Sequence, residues 1–168
     1  GAFMKKEGNK HMYHLALDTE TGGLDPHTHS LLSIGLVVCD AKFHVIHGLE
    51  MEVFLGHQRY VVTGEALSVN RIDVRLHDGF ATPIEEADTR IATWLEAISQ
   101  TPFIPLGWNI NFDLKFIKQK LPKTFNRLSY HAFDVETINL LAVSRDKSIP
   151  RGLQSVANHL HVPEFALP

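Results

Sequence analysis

The sequence predicts an α/β fold, a five-stranded mixed sheet flanked by helices. Three observations carry this reading: apolar runs between residues 13 and 54 that fold back as a hairpin, an apolar period of 3.6 residues after Thr82, and short apolar segments that alternate with helical ones from there on. The length of 168 residues suits one domain, and a chain of this size buries roughly 70% of the surface of its unfolded form. Gly1-Ala2-Phe3 ahead of Met4 reads as an expression scar, so the predicted domain is 4–168.

The elements follow in order. Residues 13–18, 30–39 and 43–54 read as strands, with Asp40-Ala41-Lys42 turning between the second and third. In the third, Val45, His47, Leu49, Met51 and Val53 alternate with His44, Gly48, Glu50 and Glu52, the pattern of a sheet with one wetter face. Gly64 to Asn70 is a short helix. Thr82-Pro83-Ile84-Glu85 has the form of a capping box with proline at the first helical position, and Ile84, Ala87, Ile91, Trp94, Leu95 and Ile98 continue at helical period. Phe103 to Leu106 reads as a buried strand, followed by a helix from about Asn111 to Lys120 that Pro122 ends. Tyr130 to Phe133 is the fifth strand and feeds a helix from Val135 to Val143. A last helix, Gly152 to His161, places Leu153, Val156, Ala157 and Leu160 on one face, and the polar stretch Ser144 to Pro150 before it reads as a loop.

A hydrophobic share of 44% and a charged share of 21% are those of a globular protein. The net charge of −3 argues against a protein that coats long nucleic acid, which needs many Lys and Arg against phosphates, but not against one that grips a strand end. The single cysteine, Cys39, lies in an apolar run and fits a reducing, cytoplasmic setting; no membrane-spanning stretch and no leader are expected. The eleven histidines show no His-x-x-x-His pairing, so a structural zinc site is not expected.

Chemistry concentrates in two places. Asp18 and Glu20, in Leu17-Asp18-Thr19-Glu20-Thr21-Gly22-Gly23-Leu24, alternate along a strand and so project from one face. Carboxylates held close repel, and a site that keeps them ionised supplies a cation; oxygen-only ligands point to Mg²⁺ or Mn²⁺. The segment Gly107-Trp108-Asn109-Ile110-Asn111-Phe112-Asp113 brings a third acid to a strand-to-helix junction. Three acids from two elements suit a two-metal phosphodiester site. Each motif alone also reads as a solvated strand end or helix start, and Lys115, Lys118, Lys120 and Lys123 read either as phosphate contacts or as a solvated helix face.

Taken together, Asp18-Thr19-Glu20-Thr21-Gly22 and Asn109-Ile110-Asn111-Phe112-Asp113 resemble the first and second motifs of the DEDD superfamily of 3′–5′ exonucleases. Glu65 to Asp73 is similar to that family's linking segment, and Phe133-Asp134-Val135-Glu136-Thr137 to the strand and helix after the second motif. The pattern looks closest to the DEDDh branch, which contains the proofreading subunit of bacterial DNA polymerase III and ribonuclease T. The resemblance implies a ribonuclease H-like fold and a two-metal 3′–5′ exonuclease that releases nucleoside monophosphates from DNA or RNA. Asp18, Glu20 and Asp113 would be its metal-holding catalytic acids. Backbone from Thr19 to Gly22, with Thr21, would approach the terminal nucleotide, Leu24 and Phe112 would pack on its base, and Asn109 would complete the binding site.

The implied partners are a single-stranded or frayed 3′ end and, by analogy with the proofreading subunit, a polymerase. The branch's third motif, His and Asp separated by four residues, is expected after the segment matched by Leu153 to Leu160 and is not present before Pro168. His159, His161 and Asp134 are the visible substitutes, and the ordinary reading of Asp134 is as the cap of the helix that starts at Val135. This departure keeps open an alternative: a non-catalytic nucleic-acid or protein-binding module of the same fold.

Overall fold

The structure, a computed structural model, describes residues 12–145. The order is β1 (His14–Thr21), β2 (Leu31–Cys39), β3 (Val45–Gly56), α1 (Gly64–Asn70), α2 (Val74–Phe80), β4 (Thr82–Pro83), α3 (Ile84–Ile98), β5 (Ile104–Gly107), α4 (Ile110–Lys120), α5 (Pro122–Phe125), β6 (Phe133–Asp134) and α6 (Val135–Arg145). The expected helix 152–161, with His159 and His161, lies outside the described residues, as does most of the loop expected over 144–150; Ser144 and Arg145 instead continue α6.

Six strands form one mixed sheet in the order β4-β3-β2-β1-β5-β6, one strand more than the sequence predicted. The addition is β4. Thr82 and Pro83 pair in parallel with Leu55 and Gly56 instead of capping the helix that follows. Thr82 therefore makes no capping box: Pro83, with extended backbone (φ −51°, ψ 137°), precedes α3 and offers no side-chain cap bond. α2 is a further element that the sequence pattern does not announce, and its N-cap is Asp73, whose carboxylate accepts from the N–H groups of Arg75 and Leu76.

β1, β2 and β3 make the antiparallel meander expected, while β5 pairs with β1 in parallel and β6 with β5 in parallel. One departure lies in β3. The expected phase holds at Leu49, Met51 and Val53, but it is Ile46, not Val45 or His47, that packs on the core. Gly48 at φ +85° takes up the change, a conformation only glycine adopts without cost, and the pairing with β2 shifts register between Val37 and Cys39.

One face of the sheet carries Leu15, Leu17, Ile34, Leu36, Val38, Val53 and Leu55, all buried. Ala87, Ile91 and Leu95 of α3 and Ile110, Phe116 and Ile117 of α4 pack on it to complete the core. α5 sits between α3 and α4, anchored by the buried Asp88 of α3. Cys39 is buried and unpaired, as expected.

Candidate active site

β1 alternates cleanly. Leu15, Leu17 and Thr19 face the helices, so Asp18 and Glu20 project together from the opposite face, each half-buried. β1 is longer than the sequence suggested and runs through both acids to Thr21, because β2 stays in register with it: Asp18 lies opposite Gly35 and Glu20 opposite Ser33. β5 pairs only with His14 to Ala16 and then leaves for α4, so the acids stand where two parallel strands diverge. In open α/β sheets such a crevice, beyond the carboxyl ends of the strands, is where ligands bind.

The third acid arrives from that divergence. Asn109 takes a left-handed conformation (φ 53°, ψ 50°) that turns the chain out of β5 into α4, and the N–H of Phe112 closes back on its carbonyl at 3.0 Å. Asp113, in the first turn of α4, is buried. Its Oδ1 accepts the backbone N–H of Thr19 at 3.0 Å and also the Thr19 hydroxyl. Asp134, at the end of β6, accepts the N–H of Asn109 and the N–H of Glu136 on one oxygen, each at 3.1 Å, so it both caps α6 and steadies the Asn109 turn.

The electrostatics mark the three acids as a group. Burial, then the charges of Asp113 and Glu20, push Asp18 up from the usual carboxylate range to about 7. Glu20 is raised by burial and by Asp113. Asp113 is pushed up to about 6 by burial, with Asp134 adding to the rise, while the two Thr19 hydrogen bonds pull the other way. Among the described residues no three His, Cys, Asp or Glu side chains form, as they stand, a group that could hold an ion; Oδ1 of Asp113 is turned onto Thr19. The chemistry of the set nonetheless suits a hard divalent cation: oxygen donors only, and negative charges that raise one another's pKa.

Around the acids, Thr21 is buried, its hydroxyl donates to the Gly23 carbonyl at 2.7 Å, and its own carbonyl accepts the side-chain amide of Asn70 at 2.8 Å. Gly22 threads a narrow gap: a Cβ there would stand 2.5 Å from the Val61 carbonyl oxygen and 2.7 Å from Val62. Its N–H donates to Ser30 and its carbonyl accepts from Thr63, so the segment 61–63 lies directly against the turn after Glu20. Leu24 is 83% exposed. Phe112 is half-buried, packed on Phe116 at 5.2 Å between ring centroids, and Asn109 is exposed. The side chain of Thr19 points away from the crevice. Of the four lysines, Lys123 reaches Thr89 on α3. Asp134 and Asn70 support the site, and only Asp134, weighed as acid or cap, had a signal in the sequence.

No family model matches the chain, and no curated protein matches it. Solved structures do. A structure of exonuclease I aligns over 93% of this chain and 37% of its own with a TM-score of 0.73 at 16% identity. Escherichia coli exonuclease I in complex with a 5cy-dA13 oligonucleotide aligns over 82% of this chain and 31% of its own, TM-score 0.69, 16% identity. Exonuclease I from Methylocaldum szegediense aligns over 90% and 36%, TM-score 0.68, 19% identity. The chain spans about a third of the length of these proteins. What it shares with them is the α/β, ribonuclease H-like fold.

Proposed function

We propose that this chain is a divalent-metal-dependent 3′–5′ exonuclease domain, over residues 4–168, that hydrolyses phosphodiesters at the 3′ end of single-stranded or frayed nucleic acid. The observation that carries the reading is the grouping of Asp18, Glu20 and Asp113, from two elements of an exonuclease I-like fold, into one mutually repelling set in the crevice beside β1. Asp18 and Glu20 would hold Mg²⁺ or Mn²⁺ directly, and Asp113 would complete the set. When bound, the two ions supply an activated water and a stabilised leaving oxygen.

The chain's own residues account for the rest. Asn109 and the backbone from Thr19 to Gly22 border the crevice, and the exposed Leu24 offers an apolar surface on which a terminal base can pack whatever its identity. That structures of exonuclease I were solved with bound oligonucleotides supports a single-stranded substrate here. The two motifs support the DEDDh branch, whose proofreading member implies a polymerase as partner, and the fold supports the wider exonuclease group.

The test is a 5′-labelled single-stranded oligonucleotide incubated with the full-length protein and Mn²⁺. A ladder shortening from the 3′ end, stopped by EDTA and abolished in Asp18→Ala, Glu20→Ala and Asp113→Ala, is expected. Internal cuts from the outset would exclude an exonuclease, and binding without shortening would favour the non-catalytic module.

A further inference from the structure

We propose that Thr19 is a positioning residue for Asp113: by its place between two acids it looks like a substrate contact, yet its backbone N–H and hydroxyl together hold Oδ1 of Asp113 and leave Oδ2 as the ligating oxygen. The inference rests on the metal-dependent site proposed above.

Strand alternation supplies the first step. With Asp18 and Glu20 on the crevice face, Thr19 must face the helices, and it is buried there, 8% exposed, with Asp113 4% exposed beside it. An apolar residue would be the ordinary occupant of that face, as Leu17 and Leu15 show two and four residues earlier. A hydroxyl there needs a partner, and the partner lies 94 residues away on α4.

Geometry supplies the second step. Both donors of Thr19 converge on the same oxygen, which fixes not only where the carboxylate sits but how it is rotated about its Cβ–Cγ bond. A carboxylate held through one oxygen presents the other in a single direction. Partners that orient a ligand in this way typically change metal affinity by about 10–100-fold when removed.

Thr19 belongs to the segment that carries two of the acids, so the bond to Asp113 makes the spacing of all three depend on one residue. The helix that brings Asp113 is thereby registered to β1 at the point where the acids must meet, not merely packed against the sheet.

The experiment measures Mn²⁺ binding to the chain by calorimetry, with the metal-induced rise in melting temperature as a second readout, for the parent protein, Thr19→Val, Thr19→Ser and Thr19→Ala. Thr19→Val keeps the shape and the N–H but loses the hydroxyl; about a tenfold or greater loss of Mn²⁺ affinity is expected, and a smaller metal-induced shift. Thr19→Ser restores the hydroxyl and is expected within about threefold of the parent. A Thr19 that merely fills the core would lower the melting temperature equally with and without metal and leave the affinity unchanged in Thr19→Val, or in Thr19→Ala if the valine variant does not fold; either result overturns the inference. Failure of the parent protein to bind Mn²⁺, or binding that Asp18→Asn does not weaken, would instead overturn the reading of the site on which the inference rests.

Discussion

Asp88 and Thr124 are joined by two hydrogen bonds on one oxygen: Oδ1 of Asp88 accepts both the N–H and the hydroxyl of Thr124, each at 2.8 Å. The other carboxylate oxygen takes the N–H of Lys123 at 3.0 Å. A threonine holds Asp113 in the same manner, but there the resemblance ends. The donors at Asp88 cap a short helix, whereas Asp113 adds its charge to that of two further acids.

Asp88→Ala is therefore expected to destabilise the protein by about 3 kcal/mol, since it strands buried donors at a typical cost of roughly 1–3 kcal/mol each. The response to metal should survive. Urea denaturation with and without Mn²⁺ measures both.

Stability should fall as pH rises. In the unfolded chain the carboxyls titrate near their ordinary value of about 4. In the folded protein Asp18 keeps its proton up to about 7, Asp113 up to about 6, and Glu20 is raised as well. The folded state thus binds more protons between these limits. Its stability from these groups is complete below the unfolded value and is lost as pH climbs through the folded ones. Melting curves from pH 4.5 to 8 without metal should show the decline, and Asp18→Asn should flatten it.

Divalent metal should reverse that decline. An ion that binds only the folded state stabilises it by about 2.7 kcal/mol at a hundred times its dissociation constant. For a chain of this size that is a shift of several degrees, at roughly 2–4 °C per kcal/mol. Scanning fluorimetry at pH 7.5 with Mn²⁺, Mg²⁺ and EDTA tests it; a melting temperature indifferent to millimolar metal would count against the site.

Two glycines should respond differently to alanine. At Gly22 the added Cβ meets backbone, the Val61 carbonyl at 2.5 Å, so the segment 61–63 must move; a loss of about 1–3 kcal/mol and a weaker metal response are expected. At Gly48 nothing lies within 4 Å, and the cost is conformational only, about 1 kcal/mol, with the metal response intact. Paired urea and metal titrations separate the two.

The parts of the fold legible in the sequence were those with long, regular patterns. The meander announced itself through alternation in β3 and the turn at Asp40, and α3 through its period of apolar residues. β4 was hidden because two residues carry no period, and Thr82-Pro83 look equally like a helix start. α2 hid behind its brevity, although Asp73 followed by Arg75 and Leu76 was a readable cap. At the site, Asp18, Glu20 and Asp113 could be picked out because the chemistry of neighbouring acids is visible in their spacing. The bond from Thr19 to Asp113 could not, since it joins two segments that only the folded sheet brings together, and the support of Asn109 by Asp134 is of the same kind.

The strand bearing Asp18 lies in the interior of the sheet, with β2 on one side and β5 on the other, whereas Asp134 sits on the two-residue edge strand β6. Amide protons along residues 15–17 should therefore be among the slowest to exchange with solvent, while those of β6 and of the Asn109 turn exchange early. On heating, the crevice would come apart from one wall: the side held by Asp134 loosens while the two acids on β1 stay in place. Inactivation by heat would then begin at temperatures where most of the sheet is still intact, and cooling would restore the site without refolding the chain.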